Sequence, residues 1–435
     1  MRVLTYTTLF PNEANPLHAL FVRARVAAVA SRCSHLRVVA PVPWFPRLPF
    51  GLPTRWERYR RYAQVPHRER QGRLWVDHPR FPTLPGIGKG FDGHLLEGAT
   101  RGHVRRLHAR EGFDLIDAHW AYPDGFAAVR IGRRLGVPVV LTVRGDDLSS
   151  MPEDPRRRPR IVAALEGATR IVAVCSALRD AAIALGAPPE RVTVIGNGID
   201  LSHFHPIDRQ IARRRLGLPE GGRMLLSVGH LCERKGFHLL IEAVGKLAAG
   251  GMRDLFLVIV GGGGEEGDVS GILARMARAL PPGTVRLVGP KPPEELSLWY
   301  SAADLFCLAS AREGWANVLL EALACGTPVV GTNVWGIPEV ISSPKLGILR
   351  ERTPQALAEG IALALSRPWS REDLVRHAQG RSWDVVAGEV VSLFREVLGE
   401  RRSNEAVQHE NPLSSSNAWG RRGGNPHPGD RSRLP

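Results

Sequence analysis

Short apolar runs alternating with helical stretches, in two successive series, constrain this chain more than any other feature. VLTYTTLFP reads as a buried strand closed by a proline-marked loop, ALFVRARVAAVASR as an amphipathic helix, and LRVVAPVPWF as the next strand. A β-loop-α-β opening of this kind leads into a doubly wound parallel sheet, whose ligands gather beyond the carboxyl ends of the strands. FDLIDAHW, VPVVLTVRG, ATRIVAVCS and VTVIGNGID continue the first series as β-branched runs ending in small or polar residues. The hydrophilic stretch HFHPIDRQIARRRLGLPEGG then interrupts the pattern, and RMLLSVGHL begins a second series with LFLVIVGGGG, VRLVGP, DLFCLAS and TPVVGTN. The expected fold is α/β, with two Rossmann-like domains of doubly wound parallel sheet, over 1–208 and 209–381, facing each other across a cleft. A closing helix over 382–400 ends the fold. From 401 to 435 the composition turns to Ser, Asn, Gly, Pro and Arg without periodicity, which predicts a disordered tail.

At 435 residues and 43% hydrophobic content, the chain has room for two cores. It has no uncharged apolar run of about 18 residues, and MRVLTYTTLF lacks the basic start and cleavage pattern of a signal peptide, so a cytoplasmic protein is expected. Five cysteines without CxxC spacing argue against a zinc site and against a disulfide framework. The balance of 58 basic against 43 acidic residues, net +15, calls for a polyanionic partner, but nucleic acid, anionic lipid and phosphorylated substrates all satisfy it.

The motifs separate these classes. In EGWANVLLEALACGTPVVG, Glu313 precedes a helix while Asn317 and Glu321, four apart, share one helical face. The unpaired amides of a helix start suit phosphate oxygens, here around Gly314, Trp315, Ala316 and Asn317. Carboxylates beside a phosphate would repel it, so Glu313 and Glu321 suit hydroxyls, one set on a sugar and one on a ribose. In SVGHLCERKGFHLLIEA, Arg234 and Lys235 lie just beyond a strand, before a helix expected to begin near Gly236. Cations are disfavoured at that helix end, and fixed charge there would stabilise a departing diphosphate. GGGGE at 261–265 follows a strand but fits a dinucleotide fingerprint poorly, and reads as a structural turn or a phosphate contact. His119 and Arg144 end two strands of the first domain and face the cleft. His119 is either a satisfied structural histidine or a substrate contact, and Arg144, which cannot be a general base, would be oriented by Asp146 and Asp147.

The Glu-x7-Glu segment followed by ACGTPVVGT and WGIPEVI resembles the signature of the family 4 retaining glycosyltransferases of GT-B architecture. The resemblance implies that Arg234 and Lys235 bind the donor diphosphate, Glu313 the sugar, and Glu321 the ribose hydroxyls. It implies that Gly314 to Asn317 form the amide loop over phosphate and sugar, that Val288 to Lys291 pair with the nucleotide base through the main chain, and that Gly229 belongs to the donor site. Many relatives carry histidine at the position of Arg144, so this arginine would instead bind an acceptor phosphate or the donor's sugar. The resemblance further implies retention of anomeric configuration without an enzymatic nucleophile, a UDP- or GDP-sugar donor, no cofactor and no metal. IGNGID at 195–200 resembles the family's segment near the interdomain hinge. FPNEANPLHALFVR resembles the start of bacterial enzymes that build exopolysaccharide and teichuronic acid, which implies a glycan or lipid-linked glycan acceptor. The arginine-rich, aromatic stretch over 41–73 fits either an anionic membrane surface or a solvated loop. A nicotinamide-dependent oxidoreductase would need a glycine fingerprint where FPNEANP stands, and a nucleic-acid-binding protein leaves the acidic pair unexplained.

Overall fold

The computed structural model describes residues 1–44, 61–83, 88–264 and 266–410, with only the helical backbone over 402–410. The first series builds an eight-stranded sheet from β1 (Arg2–Tyr6), β2 (His35–Val39), β4 (Arg68–Gln71), β5 (Leu74–Asp77), β7 (Leu115–His119), β8 (Val139–Val143), β9 (Arg170–Ala173) and β10 (Val192–Val194). Their order is β10-β9-β8-β7-β1-β2-β5-β4, parallel throughout except for the β4–β5 hairpin. The second sheet, β13-β12-β11-β14-β15-β16, is wholly parallel; its strands are β11 (Arg223–Val228), β12 (Leu255–Val260), β13 (Val285–Leu287), β14 (Leu305–Leu308), β15 (Val329–Thr332) and β16 (Gly347–Arg350). Central strands such as LFLVIV of β12 are buried on both faces, as the run of β-branched and large apolar residues requires.

Four features depart from the sequence reading. LRVVAPVPWF is two strands: β2 stays in the main sheet, while β3 (Val42–Trp44) turns away after Pro41 to pair with β6 (Arg80–Pro82). The β4–β5 hairpin and β16 were not expected; the first strand of the hairpin, Arg68–Gln71, is wholly polar and gives no apolar run. The closing helix, Trp383–Glu410, continues ten residues past its expected end, so 401–410 are helical, while the rest of the expected tail lies outside the described residues. Of the 41–73 stretch, 45–60 likewise lie outside them.

Two crossings join the halves, and they lie side by side. The Ile199 amide donates to the Arg381 carbonyl, and the Trp383 amide donates back to that of Ile199. The closing helix then packs Val386, Val390 and Phe394 against Val3, Leu115 and Val140 of the first sheet. Cys175, Cys232, Cys307 and Cys325 are buried and unpaired. Among the described residues no helix is long and apolar enough to cross a membrane.

Candidate active site

Between the domains lies a cavity of about 270 Å3, walled on one side by Arg144, Gly145 and Asn197 and on the other by Arg234, Lys235 and the segment from Arg312 to Val318. The second wall follows from local chain chemistry. Beyond β11 the chain makes a short turn, Glu233–Lys235, and only after Gly236, in the left-handed region at φ 70°, does the helix Phe237–Ala249 begin. A side chain at 236 would meet the Ala309 carbonyl at 2.1 Å, so glycine is required there for both reasons.

Every cation on this wall has an acidic partner. Lys235 Nζ donates to Glu313 Oε1 at 2.5 Å, and the Ser310 hydroxyl donates to the same oxygen at 2.7 Å. Arg234 forks onto Glu266 through Nε and Nη2 at 2.7 and 2.8 Å, donates to the Arg312 carbonyl through Nη1, and has Glu313 3.7 Å away. The Arg234 hydrogen bonds hold the Glu266 carboxyl down at about 2. Glu313, expected to be open to sugar hydroxyls, is therefore occupied by Lys235, because nothing else in the cavity neutralises the ammonium. The amides of Gly314, Trp315 and Ala316 have no acceptor among the described residues, and the helix Asn317–Ala324 follows directly. Those amides stand free where the loop-to-helix reading expects phosphate-binding donors.

The first wall is buried. Neutral His119 bridges two groups: Nε2 meets Asp117 Oδ2 at 3.1 Å, and Nδ1 lies 2.7 Å from Arg144 Nη2. Burial outweighs the pull of Asp117 and lowers the His119 pKa to about 4, so Nδ1 is the acceptor and Nε2–H the donor. Arg144 Nη1 donates to Asn197 Oδ1 at 3.2 Å, and Asn197 Nδ2 donates across the cleft to Asn317 Oδ1 at 3.1 Å. Asp146 and Asp147 do not orient the Arg144 guanidinium. Asp147 accepts the backbone N–H groups of Ala121, Arg144 and Gly145, and Asp146 reaches across the cleft to Arg312 Nε at 3.3 Å. Short carboxylates so close to their own backbone satisfy local amides first.

The domains meet backbone to backbone. A side chain on Gly314 would lie 1.8 Å from the Arg144 carbonyl, and one on Gly196 would lie 2.3 Å from the Trp315 ring. Trp120 and Trp335, both lining the cavity, sit at φ 80° and 49°, a conformation that costs a non-glycine residue about 1–3 kcal/mol.

Four expected donor residues lie off the cavity. Gly229 follows β11 with its amide on the Val260 carbonyl, near the Lys235 side chain. Val288 packs into the second domain's core, and Lys291 Nζ sits over the Trp299 ring at 5.5 Å. Glu321 accepts from the Tyr300 hydroxyl at 2.6 Å, and burial raises its pKa to about 7. Asn197, Arg312 and Glu266 were missed as site residues. Asn197 sits in IGNGID, which reads equally well as a turn, and nothing in the sequence pairs Arg312 or Glu266 with a partner.

The family model described as Glycosyltransferase Family 4 matches residues 59–203, and the one described as Glycosyl transferases group 1 matches residues 208–381. D-inositol 3-phosphate glycosyltransferase 1 of Catenulispora acidiphila is 32% identical over 336 residues, covering 72% of this chain and 78% of that protein. The chain belongs to glycosyltransferase family 4. This family 4 glycosyltransferase is also 28% identical to the putative teichuronic acid biosynthesis glycosyltransferase TuaC of Bacillus subtilis, over 83% of this chain and 88% of that one. Its GT-B fold is shared with sucrose-phosphate synthase of Thermosynechococcus elongatus (TM-score 0.70, 20% identity, 92% of this chain and 100% of that one). Anabaena HepE, solved in complex with UDP, shares it too (TM-score 0.68, 20% identity, 91% and 100%).

Proposed function

We propose that this glycosyltransferase moves a sugar, with retention and without a divalent metal, from a UDP- or GDP-sugar to a glycan or lipid-linked glycan acceptor of a bacterial envelope polymer. The observation that carries the reading is the convergence of Arg234, Lys235 and the three free amides of Gly314 to Ala316 on one cavity. A diphosphate entering there exchanges partners with the resident carboxylate: Lys235 turns from Glu313 to phosphate oxygen, and Glu313, released, accepts sugar hydroxyls. As the anomeric carbon–oxygen bond to the diphosphate breaks, the acceptor oxygen bonds to that carbon on the same face, and its proton passes to a phosphate oxygen. The two cations and the amides stabilise the charge that develops on the leaving group, which removes the need for a metal. Glu321 takes the ribose hydroxyls and the main chain over 288–291 the base. That HepE was solved with UDP in a similarly folded chain supports a nucleotide donor, and the likeness to TuaC supports an envelope pathway.

Thermal stabilisation by a panel of UDP- and GDP-sugars tests this reading, since a ligand that binds only the folded state raises its stability with concentration. One donor should shift the melting point, chelator should leave turnover unchanged, and the product anomer read by NMR should match the donor. A protein indifferent to every nucleotide sugar would overturn the reading. The basic aromatic stretch is proposed to rest at the inner face of the cytoplasmic membrane. Its described part includes Trp44, 45% exposed, and the exposed Arg61 and Arg73. Co-sedimentation with anionic and not neutral vesicles is the expected result, and equal binding to both removes the idea.

A further inference from the structure

The floor of the cavity on the first domain holds two buried guanidiniums that no carboxylate among the described residues contacts directly. Arg144 is 6% exposed and Arg25, on the helix Leu20–Ala30, is 1% exposed. Arg25 Nε and Nη2 and Arg144 Nε are buried without a hydrogen-bond partner. Each lowers the charge tolerance of the other: burial and Arg25 together depress the Arg144 pKa to about 9, so it is still cationic at neutral pH. Their compensation is thin. Asp117, the carboxylate nearest Arg25, spends one oxygen on His119, and its other oxygen is unpartnered. His119 is neutral, Asp147 is committed to three backbone amides, and Asp146 to Arg312. Asp117 and Asp147 therefore act on the two guanidiniums only through space, and among the described residues neither guanidinium makes an ion pair.

Arg144 is the one of the pair that reaches the cavity, where it stacks over Phe21 at 5.3 Å. Phe21 and Arg25 are one helical turn apart, so the same helix face supplies the ring beneath Arg144 and the second charge behind it. A buried cation without a directly paired carboxylate is stabilised by an anionic ligand, and a carboxylate or phosphate would compete for the N–H groups that Arg144 now spends on the neutral acceptors Asn197 and His119.

We propose that Arg144, backed by Arg25, binds an anionic substituent, a carboxylate or phosphate, carried by one of the two sugars that meet in the cleft. This rests on the nucleotide-sugar reading above. The subsite lies across the cavity from Lys235 and is separate from the diphosphate grip, and it makes the enzyme selective for a charged sugar over its neutral counterpart.

Calorimetry on the full chain tests the proposal. Whichever of UDP and GDP binds serves as the first ligand; failure of both would sink the nucleotide-sugar reading, independently of the anion subsite. With that nucleotide saturating, inorganic phosphate and glucuronate are titrated against glucose, and the corresponding nucleotide-glucuronate is compared with the nucleotide-glucose. A preference of about tenfold or more for an anion is expected in one arm. In the free-sugar arm it places the charge on the acceptor, and in the nucleotide-sugar arm on the donor sugar. Arg144→Met should abolish the preference and Arg144→Lys should keep part of it, with melting temperatures confirming that both fold. Wild-type protein blind to charge in both arms, or an undiminished preference in folded Arg144→Met, overturns the proposal.

Discussion

The two walls of the cleft solve opposite problems. The second-domain wall is polar and partly buried, its cations held by carboxylates that can trade partners: Lys235 with Glu313, Arg234 with Glu266. The first-domain wall is a buried relay, Asp117–His119–Arg144–Asn197, in which each group has its position fixed from behind. On the proposed reading, one wall exchanges bonds with a charged leaving group and the other presents a fixed surface. The difference also separates what a mutation does. On the second-domain wall it should change turnover with little effect on folding, while on the first-domain wall it should change both.

The sharpest test of that contrast is Lys235→Ala. Removing a charge aimed at the leaving group should cut kcat/KM about a hundredfold to a thousandfold, by analogy with oxyanion-hole deletions, while the melting temperature stays near that of the wild type. Gly314→Ala comes next. Its methyl group must push against the Arg144 carbonyl and part the walls, and a displacement of that kind should cost about a hundredfold in turnover and enlarge the radius of gyration in solution scattering. Undiminished activity would show that the backbone contact between the walls is incidental. A double-mutant cycle of Asn197→Ala with Asn317→Ala should return a coupling of about 0.5–1.5 kcal/mol in chemical unfolding, the range of one neutral hydrogen bond.

The smallest effect is a difference of sign with pH. His119 is depressed from 6.5 to about 4, so its contribution to stability is complete above about 6.5 and lost as pH falls through 4. Glu321 is raised from 4.5 to about 7, so its contribution is complete below about 4.5 and lost as pH rises through 7. Melting temperatures of His119→Gln and Glu321→Gln relative to wild type, taken at pH 5 and pH 8, should therefore drift in opposite directions. A common drift would show that one of the two groups is held in the other protonation state.

How far the sequence disclosed this depends on the kind of bond. Parallel strands announce themselves through unbroken apolar runs, so both sheets were legible from LRVV, LIDAH and LFLVIV. The hairpin RERQGRLWVD was not, because its first strand is wholly polar, with Arg68 and Arg70 outward and Glu69 turned in to His78. In the site, Arg234, Lys235 and the amides after Glu313 could be found from where they stand along the chain. The pairings could not. Which carboxylate takes Lys235 depends on two loops 78 residues apart arriving at one point, and the fate of Asp146 and Asp147 depends on amides that only the folded turn presents. Asn197 is the instructive miss: its place in a glycine-flanked turn explained it fully, so its bond across the cleft left no separate trace.

The paired crossings at Ile199 and Arg381–Trp383 have a mechanical consequence. Two covalent tethers lying together at one edge act as a single pin, so the halves can swing about that edge without either strand being stretched. A cavity of about 270 Å3 is at the lower limit for a drug-sized ligand, so admitting a bulky activated saccharide means swinging wide. The polar contacts across the cleft, Asn197 to Asn317 close by the pin, Asp146 to Arg312 and the Ser176 amide to Glu339, are each single. Each is cheap to undo, so thermal motion can work the door on every turnover.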